Sequence, residues 1–510
     1  MRKKTTKKWT LVFLLSAKNN LFMEQLNVIN EIYSVGTNND VNLVIILDGL
    51  EGDKFSPLME KPTIFHANNK TDFLKDHYYY ILNRKNASLD NTKHLKILLR
   101  FVVKNFKADR YGFFYKGHGG PGETDLSTGM FDTKMVYVDA KWHDRRIEKE
   151  YKSKQRGWTY QGFCEYPAIR KNNRKQKPVL LLYSRKADNS FSYKKLATVL
   201  KEVFKKRLGF VCMDCCWAQQ VENAFNFIGV TDYFIASADE MPALGLGYTH
   251  LCNHFVNRPQ IRPEEAANLI VAINYSQNYD DYDSDIAEFR KMGISMTSVC
   301  LKEYQRFLTP FRRLCNILIR KLKNNDRYTY KIFQAARKNC LDYTYHDTDH
   351  MALTNIDYLM FNIDLVWLLE NLLYYNTDDE MDHLLQEIVY NLRNNFIIGY
   401  MGNNYKKTVP GQRAVGGKGI SICFPKNAEF AESSMLISTQ MRFYETSGWK
   451  DLLNSYYECK PNRKFKTKLE SDLIKKFFIR TADKKPGKSL KEERLVCIPP
   501  AKRRRKKKQG

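Results

Sequence analysis

The sequence lacks several features that would place the chain in familiar classes of protein. No stretch approaches the roughly 20 consecutive apolar residues that a membrane-spanning helix needs. The 11 cysteines are odd in number and follow no repeated spacing, which does not suit a disulfide framework and favours a reducing compartment. Neither a phosphate-binding glycine loop nor an EF-hand loop is present, and the chain has no internal repeat. A membrane protein and a disulfide scaffold are therefore not expected, and a nucleic-acid-processing enzyme, which net charge alone would suggest, is a weaker hypothesis.

Charge is unevenly distributed along the 510 residues. The chain carries a net charge of +27, of which residues 460–510 contribute +15 through 20 basic and 5 acidic side chains. Near the end stand seven consecutive basic residues, Lys502–Lys508, a run typical of a nuclear-import signal or of binding to a phosphate backbone. No aromatic side chains interleave with this run, so sequence-specific recognition of bases is not expected. We predict a flexible basic tail over residues 460–510, on an intracellular protein that is cytoplasmic or nuclear.

Apolar segments in the first 120 residues alternate between two periodicities. WTLVFLLSA is a continuous apolar run typical of a buried strand, and the segment that follows it has apolar residues at helical spacing. A second strand, VNLVIILD, a further amphipathic helix and a third strand, RYGFFYK, come next. The first strand also imitates a secretory signal, but its apolar part is short, so a buried strand is favoured. The alternation predicts an α/β fold with a doubly wound sheet and helices on its faces.

The rest of the chain divides by composition. Residues 141–177 are rich in Lys and Arg and poor in aliphatic side chains, which predicts an exposed insertion. Strand-like and helix-like segments resume after the insertion, and residues 263–373 are mostly helical in pattern. We predict a first domain over residues 1–258 that contains the insertion, and a mainly helical region over residues 259–459 that completes the core.

The segment GFVCMDCCWAQQVE, residues 209–222, places three cysteines within five positions at the end of an apolar strand. Cys212 and Cys215 have the spacing of half a structural zinc site, but no second pair with that spacing accompanies them. The nearest residues that could complete such a site are His250, Cys252 and His254. A separate segment, DYTYHDTDH, carries His346 and His350 and could be a solvated turn. Because a strand alternates faces and these residues lack a knuckle pattern, no metal site is predicted.

Two strands of the predicted sheet end in residues suited to nucleophilic catalysis. YGFFYKGHGG delivers His118 into a glycine turn, and GFVCMDCC delivers Cys216. If both strands belong to one parallel sheet, their ends lie at the same edge, which would put an imidazole base beside a thiol. The backbone amide of Gly119 could then stabilise an oxyanion. A buried strand cysteine and a structural histidine are the alternatives that the residues alone leave open.

The pairing of strand-His-Gly with strand-Asp-x-Cys resembles the caspase-like cysteine peptidases, and its details resemble the clostripain family. Asp214-Cys215-Cys216, with Glu222 on the next helix, matches the register of the family's nucleophile segment, so the resemblance assigns the nucleophile to Cys216. The segments WTLVFLLSAKNNLF, VNLVIILD, DYFIASADEMP, GISICFP and SGWKDLL also resemble family segments in the same order. The similarity spans about residues 7–458.

The resemblance implies a caspase-like fold, with a mostly parallel central sheet flanked by helices and a largely helical C-terminal extension. It also implies a cysteine endopeptidase that works through a Cys-His dyad and an acyl-enzyme. Cys216 would attack the scissile carbonyl, His118 would protonate the leaving amine and then activate water, and the backbone amides of Gly119 and Cys216 would hold the oxyanion. No cofactor is required by such a mechanism; calcium dependence occurs in parts of the family, but no ligand can be assigned here.

Family members commonly cleave after Arg or Lys by means of acidic residues in the substrate pocket. Asp214 corresponds to one of these residues, whereas Leu244 stands where a second carboxylate would be. Asp239 and Glu240 are near in sequence and could compensate. The resemblance thus implies cleavage after Arg or Lys, with the pocket altered.

Two further hypotheses follow from the resemblance and the charge distribution. Relatives are often activated by cleavage between the histidine and the cysteine, so self-processing within residues 141–177 is expected. The alternative to an enzyme is an inactive homologue that acts as a binding or structural protein and engages nucleic acid or an acidic partner through Lys502–Lys508.

Overall fold

The computed structural model describes most of the chain outside the predicted insertion and the basic tail. The described residues are 6–17, 21–48, 61–67, 79–84, 87–89, 91–119, 134–137, 179–182, 191–239, 241–242, 245–279, 294–343, 362–403, 417–425 and 441–460. The described residues all belong to one compact unit, Met1–Pro461.

Strands and helices alternate through this part of the chain. The strands are β1 (Lys7–Leu15), β2 (Val41–Leu47), β3 (Thr63–His66), β4 (Tyr80–Ile81), β5 (Ala108–Lys116), β6 (Lys134–Tyr137), β7 (Val179–Leu182), β8 (Phe210–Asp214), β9 (Tyr233–Ala236), β10 (Ile294–Cys300), β11 (Asn362–Asp364), β12 (Ile397–Asn403) and β13 (Ser421–Cys423). The α-helices are α1 (Phe22–Val35), α2 (Thr92–Asn105), α3 (Tyr193–Val203), α4 (Val221–Asn226), α5 (Tyr248–Asn257), α6 (Pro263–Tyr279), α7 (Tyr304–Lys323), α8 (Arg327–Lys338), α9 (Leu365–Tyr375), α10 (Asp379–Asn391), α11 (Arg442–Ser447) and α12 (Trp449–Glu458).

Nine of these strands form one sheet, in the order β12-β10-β9-β8-β5-β1-β2-β3-β4. The five central strands, β9, β8, β5, β1 and β2, are parallel to one another. The outer strands on both sides pair antiparallel. Parallel strands are covered on both faces and therefore need continuous apolar sequence, which β1, β2 and β8 supply. The predicted α/β fold with a mostly parallel central sheet is confirmed.

Side chains of β1 show how the sheet separates two layers of core. Phe13 packs in one apolar cluster together with residues of α1, α5 and α6, whereas Val12 and Leu14 pack in a second cluster with residues of α2 and α3. Successive side chains of a strand point to opposite faces, so one apolar strand serves both layers. The segment that imitates a secretory signal is thus a fully integrated central strand of the described fold.

Some strands differ from the expectation drawn from periodicity. Strand β10 lies within the interval predicted to be mostly helical, and β12 follows it along the edge of the main sheet. The sequence of β10, ISMTSVC, carries small hydroxyl residues between apolar ones, so a strand buried on both faces gives a weak apolar signal. Strand β13, predicted from GISICFP, pairs with β11, and β7 pairs with β6, rather than with the main sheet.

Candidate active site

Strands β5 and β8 are adjacent and parallel, and their ends carry the predicted catalytic residues. Phe114 lies opposite Cys212 and Lys116 lies opposite Asp214 in the register between them. Residues 117–119 and residues 215–217, here called the strand-end turns, therefore leave the sheet at the same edge. The expectation that these two strand ends meet is confirmed by this pairing.

Gly119 brings the two strand-end turns into direct contact. A Cβ atom added to Gly119 would lie 2.5 Å from the carbonyl oxygen of Cys216 and 2.6 Å from Sγ of Cys215. Real Cβ atoms do not approach other heavy atoms so closely, so this position requires a residue without a side chain. The glycine after His118 thus places the histidine turn against the backbone of the predicted nucleophile.

The imidazole of His118 lies in a partly buried environment. The Tyr115 hydroxyl donates a hydrogen bond to the carbonyl oxygen of His118, with an O···O distance of 3.2 Å, which holds the turn. Burial lowers the pKa of the His118 imidazole below its ordinary value, because desolvation disfavours the charged ring. A histidine that is neutral near pH 7 is suited to accept a proton from a thiol.

The neighbouring thiols of Cys215 and Cys216 lie in opposite environments. Cys215 is 1% exposed, its sulfur lies 3.9 Å from the Tyr193 hydroxyl, and burial raises its pKa well above the usual range. Cys216 is partly exposed, and the backbone N–H of Met241 donates to its sulfur at an N···S distance of 3.3 Å. The Cys216 sulfur also lies 3.8 Å from the carbonyl oxygen of Met241, to which the thiol can donate. Cys216 therefore has the exposure that a nucleophile needs, whereas Cys215 is buried.

The turn after Cys216 is held in a strained backbone conformation. Trp217 has a φ of +51°, a left-handed value that residues with side chains seldom adopt. Its backbone N–H donates to the carbonyl oxygen of Asp239 at 2.9 Å, and its indole N–H donates to the carbonyl oxygen of Tyr343 at 2.9 Å. These bonds fix the turn from two sides, which is how such strain persists at functional positions. Asp239, predicted near the pocket, is buried and contributes its backbone to this support.

Asp214, the predicted pocket carboxylate, is only 2% exposed. Its Oδ2 atom accepts from Nζ of Lys116 at 3.2 Å, from the Tyr248 hydroxyl at 2.7 Å and from the backbone N–H of Leu246 at 3.3 Å. Its Oδ1 atom has no hydrogen-bond partner among the described residues. Gly245, with a φ of +70°, packs so closely on this pair that an added Cβ would collide with both Asp214 and Lys116.

Lys116 is a part of the site that sequence reasoning missed. A lysine at the end of the apolar strand YGFFYK was the available signal, since a buried lysine almost always has a partner. Its partner could not be read from the sequence, because the opposite carboxylate is set by the register of two strands that lie almost 100 residues apart.

Several predicted positions lie outside the described residues: Glu240, Leu244, the insertion at 141–177, His346, His350 and Lys502–Lys508. Within the described ranges, no three or more His, Cys, Asp or Glu side chains are grouped so as to hold a metal ion. Cys212 lies buried within β8, while His250, Cys252 and His254 lie on α5. Calcium thus remains an implication of the resemblance, with no described residues that fit it.

None of the helices that the structure describes combines the length and the apolar character needed to cross a bilayer.

Comparison with known proteins links this geometry to a family. The clostripain family model matches residues 168–456, an interval that includes Cys216. None of the curated proteins compared with the chain matches it.

Solved structures of cysteine proteases share the fold. A secreted protease from Bacteroides thetaiotaomicron in complex with an irreversible peptide inhibitor has a TM-score of 0.54 at 15% identity and covers 87% of this chain and 99% of its own. An inactive zymogen from Parabacteroides distasonis has a TM-score of 0.52 at 16% identity, with the same coverages. The secreted Bacteroides thetaiotaomicron protease called iotapain has a TM-score of 0.54 at 14% identity and covers 87% of this chain and all of its own.

These comparisons correct one expectation and support another. The expected intracellular location is contradicted, because two of the matching structures are of secreted proteases. The physical ground for that expectation was the odd number of cysteines without regular spacing, and a chain that needs no disulfide for its core can have such cysteines in any compartment. Because the family model covers more than half of the sequence and the fold agrees with solved proteases over most of the chain, this protein belongs to the clostripain family of cysteine proteases.

Proposed function

We propose that this protease hydrolyses peptide bonds with Cys216 as the nucleophile and His118 as the general base and acid. The observation that carries the proposal is the contact of Gly119 with the turn that contains Cys216, together with the partial exposure of the Cys216 thiol beside the buried Cys215. The lowered pKa of His118 and the hydrogen bond from Met241 to the sulfur of Cys216 support these roles.

The reaction proceeds in two stages through an acyl-enzyme. His118 takes the proton of the Cys216 thiol, and the thiolate attacks the scissile carbonyl to form a tetrahedral oxyanion. As the C–N bond breaks, the imidazolium gives its proton to the leaving amine. His118 then removes a proton from water, which attacks the thioester, and it returns that proton to the departing sulfur.

The oxyanion formed in each stage needs fixed donors. The backbone N–H groups of Gly119 and Cys216 are proposed for this task, and the close packing of Gly119 against the Cys216 carbonyl supports it, since both amides belong to rigid turns. Loss of one such donor typically lowers kcat by roughly 100- to 1000-fold. The methyl group of Gly119→Ala cannot fit, so it would displace this turn and its N–H group. We therefore expect kcat of this variant to fall by at least that factor.

Hydrolysis of a peptide library by the wild type, Cys216→Ala and His118→Ala tests the dyad. Both variants are expected to lose activity by at least about 1000-fold, because neither retains a thiolate–imidazole pair. Cys252→Ala serves as the control, since this buried cysteine lies on α5 and takes no part in the proposed chemistry. Retention of activity in Cys216→Ala, or loss of it in Cys252→Ala with an intact fold, would contradict the assignment.

Two finer features of the proposed function concern the substrate. The resemblance implies cleavage after Arg or Lys through Asp214, and the position of this carboxylate directly before the Cys215–Cys216 turn supports a role at the pocket. The buried ammonium of Lys116 beside it bears on which side chains that pocket accepts.

Self-processing within residues 141–177 is part of the same proposal. The aliphatic-poor composition of this interval, which predicts an exposed segment, and its position between His118 and Cys216 support it. Purified wild type is expected to separate into two chains whose new ends, read by mass spectrometry, fall in this interval, whereas Cys216→Ala stays intact. An active wild type that remains one chain would refute self-processing and would not contradict the assignment of the catalytic dyad.

The comparisons do not support a nucleic-acid partner for this chain. Lys502–Lys508 lies outside the described residues, and the family and the fold are those of proteases that act on peptides or proteins. Engagement of nucleic acid by the tail therefore stays a prediction, separate from the proposed reaction.

A further inference from the structure

Lys116 and Asp214 form a buried ion pair at the edge of the sheet where the proposed reaction takes place. Their side chains are 4% and 1% exposed, and their charged atoms lie 3.2 Å apart. They stand directly opposite each other in the register of β5 and β8. His118 and Cys216 each follow two residues later in the chain, so the pair lies immediately beneath the proposed dyad.

The carboxylate of this pair is already supplied with donors. Its Oδ2 atom accepts three hydrogen bonds, from Lys116, from the Leu246 amide and from the Tyr248 hydroxyl. Tyr248 is itself fixed by contacts of its ring with Phe13, at 5.9 Å between centroids. One carboxylate oxygen, Oδ1, is left for any further donor.

The segment around Gly245 closes over the pair. A side chain at this position would collide with both Asp214 and Lys116, so the backbone lies directly against their charged atoms. Glu31, a second carboxylate whose field reaches Lys116, accepts from the backbone N–H of Thr249 at 3.0 Å and is held there at the start of α5. The ammonium of Lys116 is thus enclosed by groups that stabilise it in place.

A basic substrate side chain would need the same carboxylate that Lys116 occupies. An arginine or lysine reaching Asp214 would place a second cation beside the buried ammonium, where little water screens the repulsion. An uncharged side chain meets no such repulsion, because the pair carries no net charge.

We propose that Lys116 satisfies Asp214 in the place of a substrate's basic side chain, so that the enzyme cleaves after uncharged residues. This inference rests on the proposed function, since it names the substrate class of the same site. Lys116 is a specificity-determining residue in this view: its charge decides which side chain is accepted before the scissile bond.

The test compares peptides that differ only in the residue before the scissile bond, with Arg, Lys, Leu and Gln at that position. Wild type is expected to prefer Leu and Gln. In Lys116→Met, which keeps the length of the side chain and removes the ammonium, the ratio of kcat/KM for Arg over Leu is expected to rise by about 10- to 100-fold, as a charge-assisted hydrogen bond to Asp214 becomes available to substrate. Lys104→Met, at an exposed lysine of α2, is the matched control and is expected to keep the wild-type ratio.

Two results would overturn the inference without contradicting the assignment of Cys216 and His118 as the catalytic dyad. One is a wild type that prefers Arg or Lys. The other is an active Lys116→Met whose ratio equals that of the wild type. Failure of wild type to cleave any peptide would instead refute the proposed function, and the inference with it.

A binding measurement separates specificity from turnover. Benzamidine, a guanidinium-like cation, is titrated by calorimetry into Cys216→Ala and into Cys216→Ala/Lys116→Met. The second protein is expected to bind at least about 10-fold more tightly. Equal affinity, or tighter binding by the protein that keeps Lys116, would overturn the inference.

Lys116→Met could fail to fold because it leaves a buried carboxylate without its cation. Lys116→Met/Asp214→Asn then replaces it, since this variant removes both charges. The inference predicts that its preference for Leu and Gln matches the wild type, because positions 116 and 214 together carry no net charge in either protein. A wild-type preference for Arg or Lys that the double variant loses would show that Asp214 selects basic residues and would overturn it.

Discussion

Asp214 and Glu222 are two fully buried carboxylates of one strand–helix segment, and the protein accommodates them differently. Asp214 lies against the ammonium of Lys116, which balances its charge. Glu222 accepts from the backbone N–H of Cys423 at 2.9 Å and from the Tyr444 hydroxyl at 3.2 Å, and its Oε2 atom has no hydrogen-bond partner among the described residues. Burial raises the pKa of Glu222 to about 7.

The difference follows from the position of each residue in the fold. Asp214 ends β8 beside a parallel strand that ends in lysine, so the sheet register supplies a cation. Glu222 lies in the first turn of α4 and joins this helix to β13 and α11, where the neighbours are neutral donors. A carboxylate without a cation is more readily protonated when it is buried. The first carboxylate therefore fixes charge at the candidate active site, and the second makes the stability of the core depend on pH.

The largest effect is expected when the cation beside Asp214 is removed. Lys116→Met should lower the free energy of unfolding by about 3–5 kcal/mol at pH 7, because it leaves a buried charge without a partner. Denaturation in urea measures this loss. Lys116→Met/Asp214→Asn should lose clearly less, since no charge remains buried; equal losses in the single and double variants would mean that the ion pair does not balance Asp214.

The second prediction concerns the pH dependence that Glu222 confers. Between its ordinary pKa of 4.5 and its folded value of about 7, the folded protein binds more protons than the unfolded chain, so stability falls as the pH rises through this window and levels off above it. The shift corresponds to about 3 kcal/mol. Glu222→Gln should lose this component, so the difference in unfolding free energy between the variant and the wild type should change between pH 5 and pH 8.

The control for this prediction concerns Asp364, a second buried acid with a raised pKa. Asp364, whose pKa burial raises to about 6, gives a dependence of the same sign and is present in both proteins. Only the difference between wild type and variant therefore reports on Glu222. Unfolding free energies that run parallel from pH 5 to pH 8 would show that Glu222 does not titrate in this range.

The smallest effects are expected from single hydroxyl groups. Tyr444→Phe removes one of the two donors to Glu222, whereas Tyr248→Phe removes one of the three donors to Asp214 and leaves the ammonium of Lys116 in place. We expect the free energy of unfolding to fall by about 2 kcal/mol in Tyr444→Phe and by about 1 kcal/mol in Tyr248→Phe, within the range for hydrogen bonds to buried acidic groups. Thermal unfolding at pH 7 compares them directly; a larger loss for Tyr248→Phe would reverse the comparison.

Much of the fold was predictable because its central strands are buried on both faces. WTLVFLLSA, VNLVIILD and GFVCMD are apolar at most positions, so their strand character is visible without any partner. Strand β10 was missed, because hydroxyl side chains between its apolar ones conceal a strand that is nonetheless buried. The pairing of β13 with β11 was also not predictable, since a short apolar segment does not encode which edge it joins.

The candidate site was predictable to the level of residue types at strand ends. His118 and Cys216 follow apolar strands directly, so their position at a sheet edge could be inferred from order alone. The choice of Cys216 over Cys215 as the nucleophile rested on resemblance and stays a prediction; the structure adds that Cys216 is partly exposed and Cys215 is buried. Lys116 could be found only as a lysine without an evident partner.

The sequence by itself determined which segments are strands, which residues end them, and where chemistry can occur, because these properties depend on local apolar pattern and on glycines that allow a turn. Only the tertiary structure decided that Gly119 lies against Cys216 and that Lys116 lies opposite Asp214. Contacts between residues almost 100 positions apart depend on strand order and register. Those are settled by the packing of whole layers of the core and are not written in any local segment.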